Sequence, residues 1–115
     1  MNADKIRDFS LIMDAMPGLS ILVDQLGFVV HINKSAQCLV GYQESAILRK
    51  KIENLPFSGS CMVDSQTGQL HTTWFTLDGK TEKLEWAGTQ LVLDNENCTF
   101  FSATSRDQAA ITNCF

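Results

Sequence analysis

From His71 to Ser105 the chain reads as three strands in succession. HTTWFTL leads into an Asp78-Gly79 turn, TEKLEWAGTQLVL into the polar turn DNEN, and CTFFSATS closes the run. Asp-Gly and Asn-rich reversals between β-branched and aromatic segments are hairpin signals, because tight turns between twisted strands need residues that tolerate positive φ. Two such hairpins in sequence make an antiparallel meander, and the remaining elements decide which fold is built around it.

The first half supplies helices and two more strands. Ile6, Phe9, Ile12, Met13 and Met16 recur at three- and four-residue steps from Asp4 to Met16, an amphipathic helix ended by Pro17-Gly18. LSILVD, a QLG turn and FVVHIN form a β-hairpin. Asn33 or Ser35 can cap a short helix through Leu39-Val40, which Gly41 stops. QESAILRK reads as a second short helix, with Glu44 early and Arg49, Lys50 and Lys51 late, as a helix dipole prefers. The stretch PFSGSCMVDSQTGQ, Pro56 to Gln69, lacks sustained periodicity and reads as a loop with at most one helical turn. The order predicts one α+β domain with a five-stranded antiparallel sheet. Short helices lie on one face and the N-terminal helix on the other. The expected boundaries are 1–17 for that helix, 18–107 for the core and 108–115 for an exit segment.

Composition removes several functions. At 115 residues and 44% hydrophobic content the chain can bury a single core. Its net charge of −4 argues against a general nucleic-acid binder, whose affinity comes largely from Lys and Arg. No apolar run approaches the roughly 18–20 residues that cross a bilayer, and MNADKIRDFS is not a secretory signal. The cytoplasm is the expected location. Cys38, Cys61, Cys98 and Cys114 form no CxxC pair, and His31 and His71 are the only histidines, so no metal site is expected. No GxSxG or Gly-rich phosphate loop is present, and the module is not expected to be an enzyme. Arg49-Lys50-Lys51 reads as a solvated helix end rather than an anion site.

The ordered set of features resembles a PAS domain. ILVDQLGFVVHINKSAQCLVGYQESAIL matches that family's strand, acidic-Gly turn, strand ending in Asn (here Asn33), and helix ending in Gly-Tyr (Gly41-Tyr42). DGKTEKLEWAGTQLVLDNENCTFFSATSRD matches its DG turn, Glu-Trp strand, polar turn, last strand and closing Arg-Asp. The resemblance spans roughly Ile12 to Asp107. One departure stands out: the interval from Pro56 to Leu70 is short where many PAS domains carry a longer helix that walls a ligand cavity. That weighs against a large, closed cofactor pocket.

The resemblance also lets each cofactor class be tested. In the light-sensing flavin subfamily a cysteine is required where this chain has Ile52, and amide side chains where it has Trp74, Leu84 and Ser105, so cysteinyl-flavin photochemistry is excluded. Haem would need an axial ligand, and no His lies between Tyr42 and Leu70. A flavin held without cysteine stays open, and no cofactor is expected. By the same alignment and strand alternation Trp74, Leu84, Trp86, Gly88, Phe101, Ala103 and Ser105 share the inner face. Trp74, Leu84, Trp86 and Ser105 are the candidate ligand-binding residues; the competing reading is that both tryptophans fill the core. Arg106 and Asp107 are the residues expected to couple the sheet to an output domain.

The resemblance implies a sensory or regulatory module of a cytosolic signalling protein. Its output would be a histidine kinase, a cyclic-dinucleotide enzyme or a transcription regulator, and the chain would be an excised domain or a small stand-alone protein. The alternative is a ligand-free dimerisation module. A homodimer through the N-terminal helix is expected, because Leu11 lies off the apolar stripe.

Overall fold

A computed structural model describes residues 4–63, 66 and 69–105. The elements are α1 (Asp4–Ala15), β1 (Leu19–Asp24), β2 (Val29–Ile32), α2 (Lys34–Val40), 3-10 turns at Glu44–Ala46 and Ile52–Asn54, β3 (Ser58–Val63), β4 (Leu70–Phe75), β5 (Thr81–Leu93) and β6 (Glu96–Ser105). The strands form one antiparallel sheet in the order β2-β1-β6-β5-β4-β3. The α+β architecture is the expected one, with α1 across one face of the sheet and α2 and the 3-10 turns on the other.

Three expectations need correction. The sheet has six strands rather than five. Ser58–Val63, read from sequence as loop, pairs along β4 from Ser58↔Trp74 to Val63↔Leu70. Ser, Gly and Ser are poor strand formers alone, and here pairing with a neighbouring strand overrides propensity. Second, the expected helix through QESAILRK is one 3-10 turn. Arg49 then takes a left-handed φ of 67°. Arg49 N–H donates to the Val29 carbonyl and Val29 N–H to the Lys50 carbonyl. The basic residues thus lie on a segment covering the free edge of β2, where backbone groups would otherwise stand unpaired. Third, the packed side of α1 carries Ile6, Phe9 and Met13, whereas Ile12 is 54% exposed and faces outward beside Leu11.

Each turn has a local cause. The Asp24 carboxylate accepts from Leu26 N–H and Phe28 N–H, closing the β1–β2 turn around Gly27 at φ 88°. Asp94 and Asn95, both left-handed at φ 52° and 65°, form the two-residue β5–β6 reversal. Gly41, at φ 75°, ends α2, and a Cβ there would meet the Leu77 side chain at 2.5 Å. Only glycine fits both constraints.

Two apolar clusters result, one on each face. The larger joins Leu19, Ile21, Ile32, Leu39, Ile47, Phe57, Trp74, Leu84 and Trp86 on the inner face. The smaller places Met13 of α1 on Leu22 and Cys98, with Ile6, Phe9, Val30 and Phe100 around them.

Candidate functional site

The inner face of β4 and β5 carries both tryptophans. Trp74 is 1% and Trp86 0% exposed, as inward alternation requires. Cross-strand pairing sets Leu70 opposite Trp86 and Thr72 opposite Leu84. The Trp86 indole Nε1–H donates to the Thr72 hydroxyl at 2.8 Å, which satisfies both polar groups in the interior. The rings continue as a chain of tilted and edge-to-face contacts: Trp86 to Trp74 at 5.1 Å between centroids, Trp74 to Phe57 at 4.7 Å, and Phe57 to Tyr42 at 5.5 Å. Leu84, 1% exposed, belongs to the same cluster.

Three of the four candidate ligand-binding residues, Trp74, Leu84 and Trp86, therefore come together. Ser105 stands opposite Leu84 in the backbone pairing, and its side chain lies outside the described set. Arg106 and Asp107 also lie outside the described residues. Phe57 was missed because its segment read as loop; an apolar Leu55-Pro56-Phe57 between polar runs was the available signal.

A second constellation holds α1 to the sheet. Asn33 is fully buried and ends β2, as expected of a cap. Its side-chain oxygen accepts from Ala36 N–H at 3.2 Å and from Ser20 N–H at 3.1 Å. Its amide donates to the carbonyls of Gly18 at 2.9 Å and Met13 at 3.3 Å. One side chain thus ties α1, β1 and α2 together. At the other end of α1 the Asp94 carboxylate accepts from Lys5 N–H and Ile6 N–H at 3.3 and 3.1 Å. Those N–H groups have no partner within the helix, and an anion suits that end of its dipole.

Cys61 and Cys98 serve packing. Burial pushes the Cys98 thiol up, with Glu96, Asp24 and Asp94 adding to it, and burial followed by Glu53 pushes Cys61 up. Thiols held in their protonated form are poor nucleophiles. Among the described residues, no three His, Cys, Asp or Glu side chains converge on a metal position, and no helix is long and apolar enough to cross a membrane. An open groove of about 480 Å³ lies at the β1–β2 hairpin, lined by Asp24, Phe28, Val29, Val30, Leu48 and Arg49. None of the tryptophans lines it.

Comparison with known proteins places this geometry. The family model described as PAS fold matches residues 7–107. No curated protein matches the chain. Among solved structures, the PAS domain of an HTR-like protein from Haloarcula marismortui superposes with a TM-score of 0.65 at 18% identity, covering 87% of this chain and 96% of that one. The PAS domain of nitrogen regulation protein NR(II) from Vibrio parahaemolyticus gives 0.62 at 13% identity, covering 84% and 95%. A PAS domain from a two-component sensor histidine kinase gives 0.62 at 10% identity, covering 88% and 96%.

Proposed function

Since this chain belongs to the PAS family, we propose that it is a regulatory module that passes a signal to an output domain, and that it does so without a resident cofactor. The carrying observation is the filled inner face. Trp74, Trp86 and Phe57 pack against one another, edge-on and tilted, across the space a planar ligand would need, and the Trp86 indole donor is already taken by Thr72. Ligand sites need space lined by a few convergent polar groups. These residues do not fit a flavin, and the absence of a histidine between Tyr42 and Leu70 fits no haem.

The signal then has to arrive through a surface. α1 is the exposed layer on the outer face, and its outward side carries Leu11 at 62% and Ile12 at 54% exposure. Those two side chains support a homodimer formed through α1, so that input shifts the packing of helix on sheet. The similar domains of NR(II) and of a sensor histidine kinase favour a histidine kinase as the output, reached through Arg106 and Asp107. The reaction belongs to that output, and the module is proposed to be non-catalytic.

The test pairs two measurements on the purified chain. Mass spectrometry after denaturation should find no stoichiometric small molecule. Tryptophan emission should not respond to flavin, because a flavin stacked on Trp74 or Trp86 would quench it. A co-purifying ligand, or saturable quenching by flavin mononucleotide, would overturn the cofactor-free reading and restore Trp74, Leu84, Trp86 and Ser105 as a binding site.

A further inference from the structure

We propose that His31 is a protonation-sensitive latch that fastens α1 and the Glu44–Ala46 turn to the edge of the sheet. The β1–β2 pairing skips a residue: Leu22 pairs with His31 and the next residue, Val23, pairs with Val29. Val30 is the extra residue of a bulge, and a bulge re-aims the side chains beside it. Val30 consequently packs in the α1-side cluster, and His31 points the same way although strict alternation would separate them. The His31 side chain is 8% exposed.

Both ring nitrogens meet carboxylates, from different elements. Nε2 lies 2.9 Å from Asp14 Oδ1 on α1, and Nδ1 lies 3.6 Å from Glu44 Oε1. A neutral imidazole has a single N–H, so it can donate to one carboxylate and must turn a lone pair toward the other. An imidazolium donates to Asp14 and attracts the Glu44 carboxylate as an ion pair. The site is therefore complementary to the protonated ring: losing the proton weakens the charge-assisted bond to Asp14 of α1 and leaves Glu44 facing a lone pair. The charged groups that face the ring among the described residues are Asp14 from α1 and Glu44 from the turn. β1 sets the apolar Leu22 opposite it, and α2 begins with the exposed Lys34.

The remaining anchors of α1, at Asn33 and Asp94 and in the Met13 contacts, do not involve the ring, so the latch tunes docking rather than creating it. The range in which a histidine changes charge, about pH 5–8, is where such tuning would act. Its use in signalling rests on the function proposed above; the latch itself is read from α1 alone, whether or not the domain is cofactor-free or dimeric.

The experiment is amide hydrogen exchange of the full chain at about pH 6 and about pH 8, corrected for intrinsic rates, comparing wild type with His31→Gln and Glu44→Gln. Protection of α1 in the wild type should fall roughly fivefold from the lower to the higher pH, relative to protection of β5 and β6. His31→Gln should show no such change. Glu44 is half exposed, so Glu44→Gln keeps the test sound if the buried substitution fails to fold, and its pH response should be clearly smaller than the wild type's. An α1 protection ratio that is flat with pH in the wild type, or a fall that persists undiminished in Glu44→Gln, overturns the latch.

Discussion

Asn33 shows how much one side chain can hold in a small domain. As an N-cap alone it would be worth about 1 kcal/mol, but here it also accepts from Ser20 N–H and donates to Met13 and Gly18 carbonyls inside the protein. Removing it strands several buried groups at once, each costing about 1–3 kcal/mol when unsatisfied. Asn33→Ala should therefore destabilise by about 3 kcal/mol in urea unfolding. Asn33→Ser, which keeps a short acceptor for the cap and loses both donated bonds, should recover only about 1 kcal/mol of that. Trp86 is the second such residue. Trp86→Ala should cost about 3–5 kcal/mol as a large buried ring is lost, while Trp86→Phe retains most of the packing and strands the Thr72 hydroxyl, for about 1–2 kcal/mol. Near-wild-type stability of Trp86→Ala would instead mean that the ring lines a space able to relax or fill.

At the scale of elements, what the sequence made legible follows from local rules, and what it hid follows from tertiary ones. The three hairpins and the end of β2 at Asn33 are written in turn residues and cap chemistry, which act within a few positions. β3 is not, because Ser58, Gly59 and Ser60 become strand only by lying against β4. The 49–51 segment likewise takes its shape from the edge of β2 rather than from its own helical charge pattern. Of the candidate site, the inward tryptophans could be read from alternation, whereas the ring that meets Trp74 edge-on, Phe57, sat in the segment without period. The anchoring of α1 by Asp94 was equally invisible, since it joins residues 88 or more positions apart. It makes a specific prediction: Asp94→Ala should lower α1 protection in hydrogen exchange by about 1 kcal/mol without loosening β1 or β4, and Asp94→Asn, which tolerates the left-handed turn, should lower it less. The β4–β5 turn yields a titration. A hydrogen bond from the Thr76 hydroxyl, aided by Lys80, holds the exposed Asp78 carboxyl below its usual range. A depressed carboxyl favours the folded turn above the ordinary carboxylate range, and that preference fades as pH falls through the folded value. Carbon-13 NMR of the carboxyl should show Asp78 titrating low, and returning toward normal in Thr76→Ala.

For the whole molecule the open question of architecture is what lies against the outer surface. α1 packs on β2, β1 and β6 through Ile6, Phe9 and Met13. Its other side presents Leu11 and Ile12, and the far part of the same sheet face leaves Phe75 at 50% and Met62 at 69% exposure. Exposed apolar groups on one side of a molecule are what an isologous interface uses, because a two-fold axis buries each patch against its copy. Sedimentation of the intact chain at tens of micromolar should therefore show a dimer. Deleting α1 is the wrong test, since it would uncover Leu22, Cys98 and Phe100 and confuse association with unfolding. Leu11→Ser with Ile12→Ser is the better one: both side chains are largely in solvent, so folding should hold while self-association weakens by roughly tenfold or more, the loss expected when two apolar side chains leave a buried contact. Phe75→Ser then separates two geometries. If it weakens the dimer as well, α1 of one copy lies across the open sheet of the other; if it leaves association untouched, the helices pair with each other. A wild-type chain that stays monomeric throughout this range would remove α1 as a dimer contact and leave Leu11 and Ile12 to a different partner.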